Sequence, residues 1–174
     1  MPDFRKAQLR AKQILTRHAV TDIPVDIEQL ARLEGVQVER ADFGDEISGV
    51  LVKDRDRAII GVNGRHAYTR QRFTIAHELG HHLLHARREL FVDKDFIVHF
   101  RDANSSKGYD PLEIEANQFA AELLMPAEKV KEIFVEAPFD IDDEGALRKL
   151  AARFVVSPIA MTLRLSSLGL VVGA

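Results

Sequence analysis

Cysteine and tryptophan are absent from the 174 residues, and aromatic residues of all kinds make up only 7%. Without cysteine the chain can form no disulfide and offers no thiolate, so any metal must be held by histidine, aspartate or glutamate. Neither sign of charge is in marked excess. The formal net charge of -3 gives no general attraction to nucleic acid or to an anionic membrane surface. The first stretch, MPDFRKAQLRAKQIL, lacks the apolar segment of a secretory leader, and no apolar run is long enough to span a bilayer. A cytoplasmic protein without membrane attachment is expected. Internal repeats and low-complexity tracts are also lacking. What is present is 46% hydrophobic and 29% charged, the composition of a folded domain with a core rather than of a disordered chain.

Residues 4–19 place Phe4, Ala7, Ala11, Ile14 and Leu15 at helical spacing. After Pro24, the stretch VDIEQLARLEG predicts a short helix closed by Gly35. Three β-like runs follow at 36–43, 48–53 and 57–63, the last two joined by a DRD turn that suits a hairpin. A helix is predicted from Tyr68 to Ala86, then a polar region over 87–109 ending in a loop. The segment DPLEIEANQFAAELLMP predicts a strong helix, with Asp110 as N-cap, Pro111 at N1, Glu113 closing a capping box and Pro126 ending it. A short helix at about 127–135 and a helical tail broken near Val155–Ser157 complete the chain. Strands gathered ahead of most of the helices point to an α+β fold, with a small antiparallel or mixed sheet packed on helices.

Four of the seven histidines fall within nine residues of RFTIAHELGHHLLHA. The stretch contains His77-Glu78-Leu79-Gly80-His81, an H-E-x-x-H motif. On a helix His77 and His81 lie one above the other on one face, where two imidazoles can reach one cation. Glu78 is turned about 100° from His77 and can stand beside the metal as a general base for water. Random placement of the chain's histidines and glutamates would give roughly 0.02 occurrences of this motif. Phe73, Ala76, Leu79, Leu83 and Leu84 form a wide apolar arc, so the helix is expected to be largely buried. The polar stripe of His77, Glu78, His81 and His85 then needs partners, and a metal is the natural one. His85 is expected to support the site rather than ligate, and His82 to lie on the helix surface. Gly80 leaves room for a second helix or a substrate.

A catalytic zinc site normally has three protein ligands and one open position. The helix at 110–125 offers Glu113, Glu115 and Glu122. Glu113 is accounted for by the capping box. Glu115 and Glu122 lie on nearly one face and remain as candidates beside the plain alternative of a solvated helix edge.

Together, RFTIAHELGHHLLH and EIEANQFAAELLMP closely resemble the ImmA/IrrE family of metallopeptidases. The N-terminal helix, the stretch Pro24 to Ala31 and the strands before the motif are similar as well. The resemblance implies a zincin-like fold, a zinc ion (manganese as the alternative) held by His77, His81 and Glu115, and Glu78 as catalytic base. It implies a helix-turn-helix repressor as substrate, whose cleavage releases stress-response or mobile-element genes. A non-proteolytic regulator or toxin–antitoxin component, binding a partner repressor or DNA, is the alternative. The family's radiation-response member carries an additional sensor domain, which is not expected in a chain of this length.

Residues 1–136 are expected to form the peptidase domain, and LAARFVVSPIAMTLRL gives residues 137–174 the look of a helix-turn-helix segment packed on the same body. In that segment Ala160 and Leu163 are expected to face inward. The second helix offers only Thr162 and Arg164 for reading DNA, so protein docking ranks above direct DNA binding. His66, Tyr68, His85, His99 and Tyr109 are unranked candidates for stabilising an oxyanion. The strand RAIIGVN is expected to be an exposed edge that receives extended substrate.

Overall fold

The structure, a computed structural model, describes residues 1–54, 57–85, 90–93, 110–136 and 143–170. Helix α1 (Phe4–Arg17) starts at Asp3, whose carboxylate accepts from the Lys6 N–H, and buries Ala7, Ala11, Ile14 and Leu15 on one stripe. Phe4 is exposed. Helix α2 (Ile27–Leu33) is capped by Asp26, and Gly35 takes a positive φ of 79 immediately beyond it, a conformation that suits glycine at a helix end. Strands β1 (Val36–Ala41), β2 (Gly49–Lys53) and β3 (Ala58–Asn63) follow, then helix α3 (Tyr68–Leu84) and a short strand β4 (Leu90–Asp93). Helices α4 (Pro111–Leu124), α5 (Ala127–Glu136), α6 (Glu144–Phe154) and α7 (Pro158–Ser167) complete the described chain.

The sheet is mixed, in the order β1-β3-β2-β4. β2 and β3 form the expected antiparallel hairpin, and β4 adds antiparallel to β2. β1 pairs with β3 in parallel. The strand RAIIGVN is therefore not an edge. β3 is hydrogen-bonded on both sides, and its burial from Ile60 to Asn63 reflects that central place. The edges among the described residues are β1 and β4. The strand β4 falls in a stretch expected to be irregular, and the rest of that stretch lies outside the described residues. The fold is α+β, as the order of elements predicts.

One core joins the layers. Ile14 and Leu15 of α1, Leu51 and Ile60 of the sheet, Ile75 and Leu79 of α3, Phe119 and Leu123 of α4, and Phe154 and Leu165 of the last two helices belong to a single buried cluster. The last helix is fastened by charge as well. Arg164 donates to the Met125 carbonyl at 2.9 Å and pairs with Glu122, both side chains being almost fully buried. Ser157 caps α7 through the Ala160 N–H. Its inward face, however, is Met161, Arg164 and Leu165. Ala160 is half-buried and packs against the core as expected, whereas Leu163, expected inside, lines an apolar groove of about 280 Å³ between α3, α4 and α7. No described helix is long and apolar enough to cross a membrane.

Candidate metal centre

Helix α3 is enclosed on all sides from Thr74 to His81, so its polar stripe is placed inside the molecule. Helix α4 packs across it. The close approach occurs at Gly80, where an added Cβ would lie 3.2 Å from the Ala116 Cα and 3.1 Å from the Phe119 ring. The missing side chain therefore admits a second helix, and that helix carries the third donor of the cluster, the acidic one.

Three donor side chains converge between the helices. His77 Nε2 lies 2.9 Å from His81 Nε2. Glu113 Oε2 is 3.1 Å from His77 Nε2, and Glu113 Oε1 is 3.3 Å from His81 Nε2. Among the described residues, His77, His81 and Glu113 form a group able to hold a metal ion. Bonds of 2.0–2.1 Å arranged tetrahedrally separate neighbouring ligand atoms by roughly 3.3 Å, so the donors stand close to the spacing a zinc-sized ion requires. Two imidazoles and a carboxylate also suit such an ion chemically. The histidines are each 1% exposed, whereas the Glu113 side chain is 26% exposed, so the cluster is reached from the Glu113 side.

Burial disfavours the imidazolium form and pushes His81 down to about 4, with Glu113 opposing and the neighbouring His77 adding to the shift. Burial works against the Glu113 charge as well, but the adjacent His77 and His81 rings outweigh it and hold the carboxyl well below the usual carboxylate range. Neutral imidazoles and an ionised carboxylate are the states a cation needs.

Glu78 is completely buried, on the turn between the two histidines. The start of β2 lies against it. A Cβ on Gly49 would come 2.3 Å from Thr74 Cγ2 and 3.5 Å from Glu78 Oε1. Asn63 fixes the preceding loop by donating to the Gly44 and Ile47 carbonyls at 2.7 and 2.8 Å.

Glu115 is not brought to the histidine pair. Its Oε1 accepts from the Asp3 N–H at 2.8 Å and its Oε2 lies 3.1 Å from His85 Nε2. The rival Glu122 pairs with Arg164 and accepts from the Ala127 N–H. Glu113, expected as a capping residue, directs both carboxylate oxygens at His77 and His81. Asn117 was also missed. Its Oδ1 lies 2.9 Å from His77 Nδ1, while His77 Nε2 faces Glu113. The available signal was the i,i+4 spacing of Glu113 and Asn117, which puts both on one face of α4. His82 is half-buried. Of the oxyanion candidates, His85 is engaged by His81 and Glu115, Tyr68 is exposed at the start of α3, and His99 and Tyr109 lie outside the described residues. The Gln71 side chain binds the His66 carbonyl.

A family model described as the IrrE N-terminal-like domain, Peptidase_M78, matches residues 31–166, and the match contains both histidines and the acidic helix. The chain belongs to the Peptidase_M78 family. Two relatives agree with that membership. Uncharacterized immunity region protein 2 of Bacillus phage phi105 is 28% identical over 124 residues, 71% of this chain and 73% of that protein. Metallopeptidase ImmA of Bacillus subtilis (strain 168) is 30% identical over 110 residues, 62% of this chain and 58% of ImmA. A solved Mycobacterium tuberculosis transcriptional regulator shares the fold with a TM-score of 0.62 at 21% identity, over 93% of this chain and 46% of that one. This Peptidase_M78 chain thus spans about half the length of that regulator and somewhat more than half of ImmA.

Proposed function

We propose that the chain is a zinc-dependent endopeptidase, manganese being the alternative ion, that cuts a helix-turn-helix repressor and so releases the genes it silences. The observation that carries this reading is the convergence of His77, His81 and Glu113 at ligand spacing beside the buried Glu78. The name ImmA of one relative and the immunity region named for the other support a repressor as substrate. A bound divalent cation would supply Lewis acidity toward a water molecule and the scissile carbonyl. His77, His81 and Glu113 would hold it. The Glu78 carboxylate takes the proton of the attacking water and then delivers it to the nitrogen of the departing amine. Burial of Glu78 keeps bulk water from competing for that proton. Residues 137–174 are read as part of the same body, a reading supported by the buried Arg164–Glu122 pair. We place the protein in the cytoplasm, where such a repressor is found. Burial of Arg164 counts against DNA reading by α7.

The test is incubation with the candidate repressor and zinc, comparing the native chain with Glu78→Ala. Cleavage by the native chain should fall by about 10²–10⁴-fold in the variant, with zinc still bound. Equal cleavage by both would sink the mechanism. Binding of the repressor without cleavage by either would favour a non-proteolytic regulator.

A further inference from the structure

We propose that His85 and Glu115 are positioning residues for the metal centre, fixing the His81 ring so that its Nε2 lone pair faces His77 and Glu113. The proposal rests on reading His77, His81 and Glu113 as metal ligands, and it concerns the affinity of that site.

Its argument is the sense of three consecutive hydrogen bonds. The Asp3 backbone N–H can only donate, and Glu115 Oε1 accepts it at 2.8 Å. A carboxylate has no proton to give, so across the 3.1 Å separation from Glu115 Oε2 the proton sits on His85 Nε2. The other nitrogen of a neutral His85 is then an acceptor. It stands 3.0 Å from His81 Nδ1, which must carry the hydrogen. A neutral His81 protonated on Nδ1 leaves its lone pair on Nε2, the atom 3.3 Å from Glu113 Oε1. A one-way chain of donors therefore runs from the ligand ring to Glu115, whose second oxygen is held by the start of α1. One tautomer and one ring orientation satisfy every member. His77 is served more briefly, by Asn117. All five side chains of the His81 and His77 arrangements are buried, so water does not offer an alternative partner cheaply. Support of this kind behind a ligating histidine raises its basicity and saves the entropy of orienting it.

The test is titration of the metal-free protein with zinc alone, against a competing chelator, with thermal unfolding of the metal-free form measured in parallel. His85→Leu keeps an apolar filler but removes the acceptor for His81. His85→Asn returns an acceptor near the Nδ1 position. His85→Leu should lower zinc affinity by about 10–100-fold, and His85→Asn should recover most of that loss. Glu115→Ala should weaken zinc binding in the same direction as His85→Leu. With cobalt in place of zinc, His85→Leu should shift the visible absorption bands and His85→Asn restore them. Unchanged affinity in His85→Leu, or a loss that His85→Asn fails to recover, would overturn the proposal in favour of simple packing. Glu113→Ala separates the underlying reading: retention of full zinc affinity there would defeat the metal centre itself, whatever His85 does.

Discussion

Two positions along an α-helix are about 200° of rotation, so Glu113 and Glu115 point to nearly opposite sides of α4. Only one of them can share a face with Asn117 and meet His77. The other reaches the end of α3, where His85 closes the helix. The consequence is a difference in kind between two neighbouring carboxylates. Glu113→Ala should lose stoichiometric zinc on dialysis against buffer, because a ligand is gone. Glu115→Ala should retain one zinc per chain at near-saturating metal while binding it more weakly. Metal content by atomic absorption distinguishes them, and the reverse pattern would return the third ligand to Glu115. The H-E-x-x-H pair was legible because both histidines sit on one helix, whose geometry is known in advance. The third position was not, because it depends on which face of a second helix is pressed against the first. The capping-box pattern of Asp110 and Glu113 gave Glu113 a plausible local role, so the carboxylate that the fold sets against His77 and His81 was passed over. Asn117, four residues after Glu113, was the available counter-signal.

At the scale of elements, the helices were readable with their ends to within a few residues, since capping residues, proline and glycine mark them locally. Pairing of strands was not. Nothing in RAIIGVN tells that β1 will return in parallel on its far side, which turns an expected edge into a central strand. The inner face of α7 was misjudged for a related reason. Arg164 reads as a surface cation, and its partner Glu122 lies 42 positions away. Arginine can be buried when a carboxylate and a carbonyl meet its donors. The pair has a further oxygen committed, since Glu122 Oε1 accepts from the Ala127 N–H at the start of α5. Removing only one partner leaves an uncompensated buried charge. Arg164→Leu should therefore destabilise the protein by roughly 3–5 kcal/mol, read from urea unfolding. The double change with Glu122→Leu should recover a large part of that loss. A cost below about 1 kcal/mol for Arg164→Leu, the range of surface pairs, would show the pair to be solvated.

For the molecule as a whole, the cluster of His77, His81 and Glu113 ties stability to pH. His81, facing His77 and His85 on its own helix and Glu113 on α4, has its pKa pushed down to about 4 from the ordinary 6.5. The unfolded chain therefore binds more protons than the folded one between those values, and folding free energy is lost as pH drops through 6.5 toward 4. Burial shifts His85 and His82 in the same direction. The acidic partners act at lower pH. Glu113 and Glu115 are held below their ordinary 4.5, so what they contribute is present above that value and lost beneath it. The metal-free protein should accordingly be most stable above pH 7, with the unfolding temperature falling from pH 7 to pH 5 and falling further below 4.5. Replacing His81 with glutamine should reduce the slope between pH 7 and 5, since the unfolded chain then lacks one group that takes up a proton there, while His82 and His85 remain. Calorimetry across that range checks the sign, and a native profile that is level or rises toward pH 5 would contradict it. Saturating zinc should raise the unfolding temperature at pH 7, because it binds the folded form. That gain should shrink toward pH 5, where protons compete for the same Nε2 atoms.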